Sequence, residues 1–240
     1  MDNKVSEITP FESIAIVVPS LNPDEKLFQV VRKLVGAGFS RIVVVNDGSD
    51  EAHMAPFAQV ESLAECHVLT HEVNKGKGRA LKTAFAYLLE AYPDIAGVVT
   101  VDGDDQHQTV DVAACAEAIG GRPGSLILGV RDFGASNVPL RSRLGNRFTC
   151  LIFRVFCGLR ITDTQTGLRA IPAKLLDVFR RTDGERFEYE TNMLLDAGKN
   201  HIPIHEVGIS TVYIEGNESS HFRVLQDSWR IYRAILRRRK

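Results

Sequence analysis

The hydrophobic pattern of the first half of the chain switches repeatedly between two periods. Residues 14–18, IAIVV, are an unbroken run of β-forming side chains, as expected of a strand buried on both faces. The polar PSLNPDE follows, and from Asp24 onward Leu27, Val30, Val31 and Leu34 recur at helical spacing. GAGF closes that helix, RIVVV begins a second strand, and NDGSD is a loop at its carboxyl end. A helix near 53–64 leads to CHVLT, a third strand. NKGKG is a loop, and RALKTAFAYLLEAY is a strongly periodic helix. AGVVTV is a fourth strand, ending in DGDDQH. A helix at about 111–119 precedes a fifth strand, SLILGV.

Strand, loop and helix thus alternate four times, which predicts an α/β fold: a Rossmann-like, mostly parallel central sheet flanked by helices. Ligands of such sheets bind at the carboxyl ends of the strands. The polar clusters PSLN, NDGSD, NKGKG and DGDDQH all fall at those ends. Turn chemistry accounts for NDGSD alone as readily as a binding site does. It accounts poorly for all four together.

The second half is less regular. RSRLGNRFTCLIFRVFCGL reads as an amphipathic helix with arginines beside a broad apolar face. DTQTGLRAIP is a loop leading into a short strand, and RFEYETNMLLDAG is a helix with acidic first turns. HIPIHEV and ISTVYI alternate like strands. The segment HFRVLQDSWRIYRAILRRRK is another basic amphipathic helix. The expected organisation is one domain over 1–215 followed by a basic amphipathic helix over 216–240.

Composition changes this picture in one respect. The 240 residues are 44% hydrophobic and 25% charged, as in ordinary folded domains. The net charge of −1 conceals an asymmetry. Residues 1–130 hold 10 Lys and Arg against 18 Asp and Glu, a balance of −8; residues 131–240 hold 19 against 12, a balance of +7. An acidic half beside a basic half suggests two tasks, the basic one facing a phosphorylated substrate or an anionic surface. Four scattered cysteines without a CxxC pair point away from zinc and from a disulfide framework. The first residues carry no basic-then-apolar signal pattern, and no apolar run approaches the ~20 residues of a membrane span.

The candidate chemistry lies in DGDDQH. Carboxylates after a buried strand are costly unless something pairs with them. The calcium-loop spacing fails: its sixth position is His107 where Gly is needed, and its twelfth is Ala113 where Glu is needed. NKGKGRA matches neither a P-loop nor a GxGxxG fingerprint, and no GxSxG elbow occurs. What remains is a DxD arrangement. Asp102 and Asp104 are one residue apart, so a turn lets both reach one side, and Gln106 offers a third oxygen. Hard oxygen ligands suit Mg2+ or Mn2+, ions that also grip a diphosphate.

VVPSLNPDE, VVVNDGSD, NKGKGRAL, DGDDQHQ and DTQTGLR, in that order, resemble glycosyltransferase family 2 with the GT-A fold. The resemblance extends from about Ile14 to Tyr232 and is strongest to polyprenyl-phosphate glycosyltransferases of the dolichyl-phosphate mannose synthase type. GNESSHFRVLQDSWRIY is similar to a segment of bacterial members acting on undecaprenyl phosphate. The sequence departs from the family at GNESSHFR, where a late Gly-x-Ser-Lys is usual and Arg223 stands in place of the lysine. Many relatives also carry Ala at Gly103 and a hydrophobic residue at Asp105. These departures shift the expected donor from GDP-mannose toward a UDP-sugar.

The resemblance implies a role for each matching position. Pro19, Leu21, Asn22 and Glu25 would surround the base and ribose, with Asp47 and Gly48 of NDGS contacting them. Asn74, Lys75, Gly76 and Gly78 would line the nucleotide and diphosphate. Asp102 and Gly103 would meet the sugar nucleotide, and Asp104 and Gln106, beside Asp102, would coordinate Mg2+ or Mn2+. Arg131 would reach for phosphate, and Gln165, Arg169, Glu188 and Glu190 would shape the sugar and acceptor site, in a catalytic domain over 1–215 with acceptor-side elements from about 131 and a juxtamembrane helix over 216–240. Apart from the resemblance, an acceptor phosphate beside a negative donor needs positive charge, which Arg141, Arg143, Arg147 and Arg169 would add to that of Arg131, and His221 beside Arg223 is a further acceptor-site candidate. The implied partners are a nucleoside-diphosphate sugar, a polyprenyl phosphate and a membrane surface, with no nucleic acid. A homo-oligomer or a membrane-embedded partner is compatible with this reading. A hydroxyl acceptor is the alternative, with Glu188 or Glu190 as its base. His53, His67, His71 and His201 are expected at the surface or in packing, and the cysteines as core thiols.

Overall fold

The computed structural model describes residues 11–133 and 140–210, with backbone only for 140–142. The terminal basic helix, most of ISTVYI, His221, Arg223 and the side chain of Arg141 lie outside the described residues.

Seven strands form one sheet in the order β3-β2-β1-β4-β6-β5-β7. β1 (Ile14–Ser20), β2 (Ile42–Asn46), β3 (Cys66–Thr70) and β4 (Gly97–Thr100) pair in parallel. β5 (Leu126–Arg131) and β7 (Ile204–Ile209) are also a parallel pair. β6 (Arg169–Pro172) enters antiparallel between β4 and β5. The helices are α1 (Lys26–Gly36), α2 (Ala55–Glu61), α3 (Lys77–Ala91), α4 (Thr109–Gly121), α5 (Leu140–Cys157), α6 (Ala173–Arg180) and α7 (Glu188–Lys199).

Two apolar layers sandwich the sheet. On one face Ala15, Val17, Val43 and Val45 meet Leu81, Phe85 and Leu88 of α3, continuing to Phe179 of α6 and Met193 and Leu194 of α7. On the other, Ile16, Val18, Val44 and Val99 meet Leu27, Val31 and Leu34 of α1 and Val112 and Ile119 of α4. Alternate strand residues therefore point to opposite layers, which is why IAIVV and RIVVV are apolar throughout.

The helix expected near 53–64 is shorter: Glu51–His53 form a 3-10 turn and α2 runs only from Ala55 to Glu61. Pro56 in the first turn of α2 supplies a break, since proline is tolerated there but not inside a helix. α6 was not legible in the sequence; its eight residues are too few to show a period.

The reversed direction of β6 positions the site. Arg169, its first residue, pairs with Thr100, the last residue of β4. A parallel strand would deliver its preceding loop to the opposite edge. Antiparallel β6 brings DTQTG to the same carboxyl edge as DGDDQH. Among the described residues no helix is long and apolar enough to cross a membrane.

Candidate active site

Four loops meet at the carboxyl edge, tied by side chains that the sequence pattern singled out. Asn22 of PSLN has a left-handed backbone (φ 48°). Its amide accepts from Asp50 N at 3.0 Å and donates to the Asp50 carboxylate at 3.1 Å. Asp47 is buried, and its carboxylate accepts from the backbone amides of Lys75 at 2.9 Å and Gly76 at 2.7 Å. His71 Nδ1 lies 2.7 Å from the same carboxylate, and its Nε2 lies 3.0 Å from Thr83 Oγ1. Asp47 thus anchors the NKGKG loop instead of standing free for a base or ribose. His71 is a buried, hydrogen-bonded member of that anchor.

Glycines set how closely these loops approach. Gly48 has φ 76°, and a Cβ there would lie 2.3 Å from the backbone of Val73. Gly76 has φ 100°, and its Cβ would lie 2.5 Å from the Glu185 carbonyl. Only glycine meets both demands. Gly78 packs beneath Tyr189, and a Cβ on Gly103 would lie 3.2 Å from Leu27 Cδ1, so that the leucine would have to give slightly.

The sequence reading missed the centre of the site. Lys77 of NKGKG places Nζ 2.7 Å from Asp102 Oδ1 and 3.0 Å from Glu190 Oε1. His107 Nε2 lies 3.5 Å from Asp102 Oδ2. Burial opposes ionisation of Asp102, but the Lys77 ammonium and His107 outweigh it and hold the carboxyl well below its ordinary range. Burial likewise works against the Lys77 charge, and Asp102 and Glu190 overcome it, pushing its pKa up. Gly167 was also missed: a Cβ there would lie 2.2 Å from Asp102 Oδ2. The carboxylate fills the space that any side chain at 167 would occupy. The signal for Lys77 was a second lysine in a loop already assigned to diphosphate. For Gly167 the sequence carried none.

Asp104 behaves differently. It is exposed, pairs with no lysine or arginine among the described residues, and accepts only the Gln106 amide at 3.2 Å. Partial burial and the neighbouring Asp102 charge push its pKa up. Asp105 takes a left-handed backbone (φ 62°) and is drawn away to Lys33 at 2.7 Å. Asp104 is therefore the unneutralised carboxylate of the loop. No group of three or more His, Cys, Asp or Glu among the described residues forms a metal cage. That donor set fits Mg2+ or Mn2+ held by one or two carboxylates and completed by substrate phosphates. It does not fit a resident structural ion.

The acceptor-side residues divide. Arg169 is 1% exposed; its guanidinium donates to the carbonyls of Thr166 at 3.1 Å and Glu190 at 2.6 Å. It braces β6 against α7 through those two contacts, with Nη2 left without a partner among the described residues. Glu188 accepts from the amides of Glu185 and Arg186 at the start of α7, which occupies it in capping. Glu190 is paired with Lys77. Neither glutamate stands free as a general base. Arg131 donates from Nε and Nη2 to the buried Asp163 carboxylate at 2.7 and 3.1 Å. It lines an open groove of about 930 Å3 together with Arg147, Arg154 and Arg160. Arg143 lies on α5, apart from this lining. In the DTQTGLR loop, Thr164 Oγ1, Gln165 Nε2 and Arg169 Nη2 are buried without a hydrogen-bond partner among the described residues. Such orphans mark a place where water or a ligand belongs. Cys115 and Cys150 are pushed up to about 12 by burial, as inert thiols are.

Comparisons with known proteins bear on the family and the fold. Residues 15–195 match the family described as Glycosyl transferase family 2. A UDP-N-acetylglucosamine–dolichyl-phosphate N-acetylglucosaminyltransferase of Methanococcus voltae is 29% identical over 84% of this chain and 86% of its own. An uncharacterized protein of Methanocaldococcus jannaschii is 28% identical over 99% of this chain and 96% of its own. Among solved structures, glucosyl-3-phosphoglycerate synthase from Mycobacterium tuberculosis, with Mn2+, UDP and glucosyl-3-phosphoglycerate, superimposes with a TM-score of 0.66. It is 15% identical and covers 93% of this chain and 80% of its own. That likeness extends to the fold.

Proposed function

The chain belongs to glycosyl transferase family 2, and on that premise we propose that it transfers a sugar from a UDP-sugar to a polyprenyl phosphate, with inversion, at a membrane surface. The observation that carries this reading is the state of the carboxylates. Among the described residues Asp104 pairs with no cation at the carboxyl edge, while Glu188 and Glu190, the candidate bases, are both engaged. A sugar or protein hydroxyl needs a base to remove its proton; a phosphate monoester is already anionic near neutral pH.

In this reading an acceptor phosphate oxygen attacks the anomeric carbon from the face opposite the diphosphate. The bond from that carbon to the diphosphate breaks, and the nucleoside diphosphate leaves with the electron pair. Asp104, with Asp102 and Gln106 beside it, would hold a divalent ion, which would supply positive charge at the leaving diphosphate. The Asp47-anchored NKGKG loop presents backbone to the nucleotide. Lys77 and Gly167 fix the Asp102 carboxylate. Asp163 orients Arg131 toward the acceptor phosphate, and the unpartnered groups of DTQTGLR face the sugar and acceptor. The Methanococcus voltae relative favours UDP-N-acetylglucosamine as donor and a dolichyl-type phosphate as acceptor. The cytoplasmic leaflet, where nucleotide sugars are found, is the expected face. GDP-mannose is the second donor to test.

The test is transfer itself. The protein is incubated with polyprenyl phosphate, Mn2+ or Mg2+ and separate UDP- and GDP-sugars, and the lipid fraction is read by mass spectrometry. A lipid-linked sugar from one donor, absent with Asp104→Ala, is the expected result. Transfer to a hydroxyl acceptor, lost with Glu190→Gln, would overturn it.

A further inference from the structure

We propose that Asp111 is a positioning residue that ties the DGDDQH loop to the acceptor groove, by holding Ser210, at the end of β7, against the first turn of α4. The inference rests on the reading above, in which that loop takes a divalent ion and the diphosphate and the groove takes the acceptor. α4 begins at Thr109, so its first turn continues the loop directly. Asp111 lies in that turn and is 7% exposed. Its carboxylate accepts from Ser210 N at 3.0 Å, across 99 residues of chain. Among the described residues no other hydrogen bond reaches that carboxylate, and no lysine or arginine pairs with it.

The far end of the contact lies in the groove. β7 pairs in parallel with β5, and Ile209 is the register partner of Arg131. Ser210 is the next residue, and Gly208, Ile209 and Ser210 line the groove together with Arg131. Ile209 also packs in the same apolar layer as Val112, the neighbour of Asp111. A short path therefore leads from Gln106 and His107, through Asp111, to the strand end beside Arg131.

Serving one amide does not account for the carboxylate. Ser210 is exposed, so water could serve its N–H. Burial pushes the Asp111 pKa up, with the Ser210 amide and His107 working the other way. A charge is thus kept, at a cost, where a neutral side chain and a water would do. What the carboxylate adds is a fixed distance between helix and strand end. Its place in the first turn of α4, where the helix dipole favours negative charge, holds it to that geometry.

The experiment is hydrogen exchange of the full chain with and without UDP and Mn2+, read by mass spectrometry, in wild type, Asp111→Ala and Asp111→Asn. No acceptor is present, so its identity does not enter. In wild type, UDP and Mn2+ should slow exchange in peptides covering 102–108 and also in peptides covering 204–210. In Asp111→Ala the response at 102–108 should remain and that at 204–210 should disappear. Asp111→Asn keeps an oxygen for the Ser210 amide and should retain both. With farnesyl phosphate as acceptor, Asp111→Ala should raise KM about tenfold with little change in kcat, and the asparagine should restore it. A response at 102–108 without one at 204–210 in wild type would overturn the proposal, whether or not the alanine variant folds. So would an alanine variant that responds at both places, or one that lowers Tm and leaves KM unchanged. A response at neither place would remove the donor reading and the coupling with it. Coupled responses without transfer to farnesyl phosphate would support the role of Asp111 and count against the lipid acceptor.

Discussion

Lys77 Nζ lies 2.7 Å from Asp102 Oδ1, and the same ammonium reaches Glu190 at 3.0 Å. One cation thus ties the start of α3 to the loop after β4 and to the first turn of α7. Lys77→Met would leave two facing carboxylates without it. We expect a loss of about 2–3 kcal/mol, below the full cost of a dry pair because Asp102 retains some solvent. The pH dependence follows from the depressed Asp102 value. Its stabilisation is complete above the ordinary carboxylate range and disappears as pH falls through the folded-state pKa. The variant loses that term, so its acid unfolding begins at higher pH. Lys77, whose pKa is raised, loses its own contribution only in strong alkali. Urea melts of both proteins, from neutral pH downward, check this.

Gly167→Ala puts a methyl carbon where Asp102 Oδ2 now sits. The carboxylate must turn away, and a displacement on the order of 1 Å costs about 10²-fold in rate. Stability should change far less than transfer. An alanine variant with unchanged turnover would show that Asp102 tolerates a second placement.

Metal affinity should begin to fall, on acidification, at a higher pH than an ordinary carboxylate ligand would give. Its pKa is raised, first by burial and then by Asp102. Binding needs the ionised form, so affinity falls on acidification from a higher pH than usual. Mn2+ titration calorimetry in the presence of UDP, run at descending pH, reads this directly. Asp104→Asn should abolish the pH dependence along with most of the affinity.

Asp47→Asn keeps one acceptor oxygen and removes the charge that two backbone amides and His71 now share. Hydrogen bonds to a charged group contribute about 1.5–3 kcal/mol each. Loss of part of one should lower Tm by several degrees and weaken UDP binding through the loosened loop. Equal UDP affinity with a lower Tm would confine Asp47 to stability.

Arg131 cannot be deleted cleanly, because its partner Asp163 is fully buried. Arg131→Lys retains the charge and loses the fork that carboxylates and phosphates prefer. Lipid transfer should fall by about 10-fold or more with UDP binding unchanged. Parallel loss of both would remove Arg131 from the acceptor side.

The sequence by itself determined most of the local architecture and the edge on which the site is built. Apolar runs such as IAIVV and RIVVV specify strands buried on both faces, and the spacing of Leu27, Val30, Val31 and Leu34 specifies one side of a helix. Those are short-range patterns, set by side chains a few residues apart. The four polar loops, and Asp104 among them, were legible for the same reason. The tertiary structure decided the rest. The reversal of β6 comes from its insertion between β4 and β5, and no periodicity within RAIP encodes direction. Lys77 meets Glu190 across 113 residues of chain, and Gly167 meets Asp102 across 65. Arg169 and Asp47 read as ligands because their residue types suit phosphate and ribose. Only burial, and the carbonyls and amides folded around them, turns those charges inward to hold the site together.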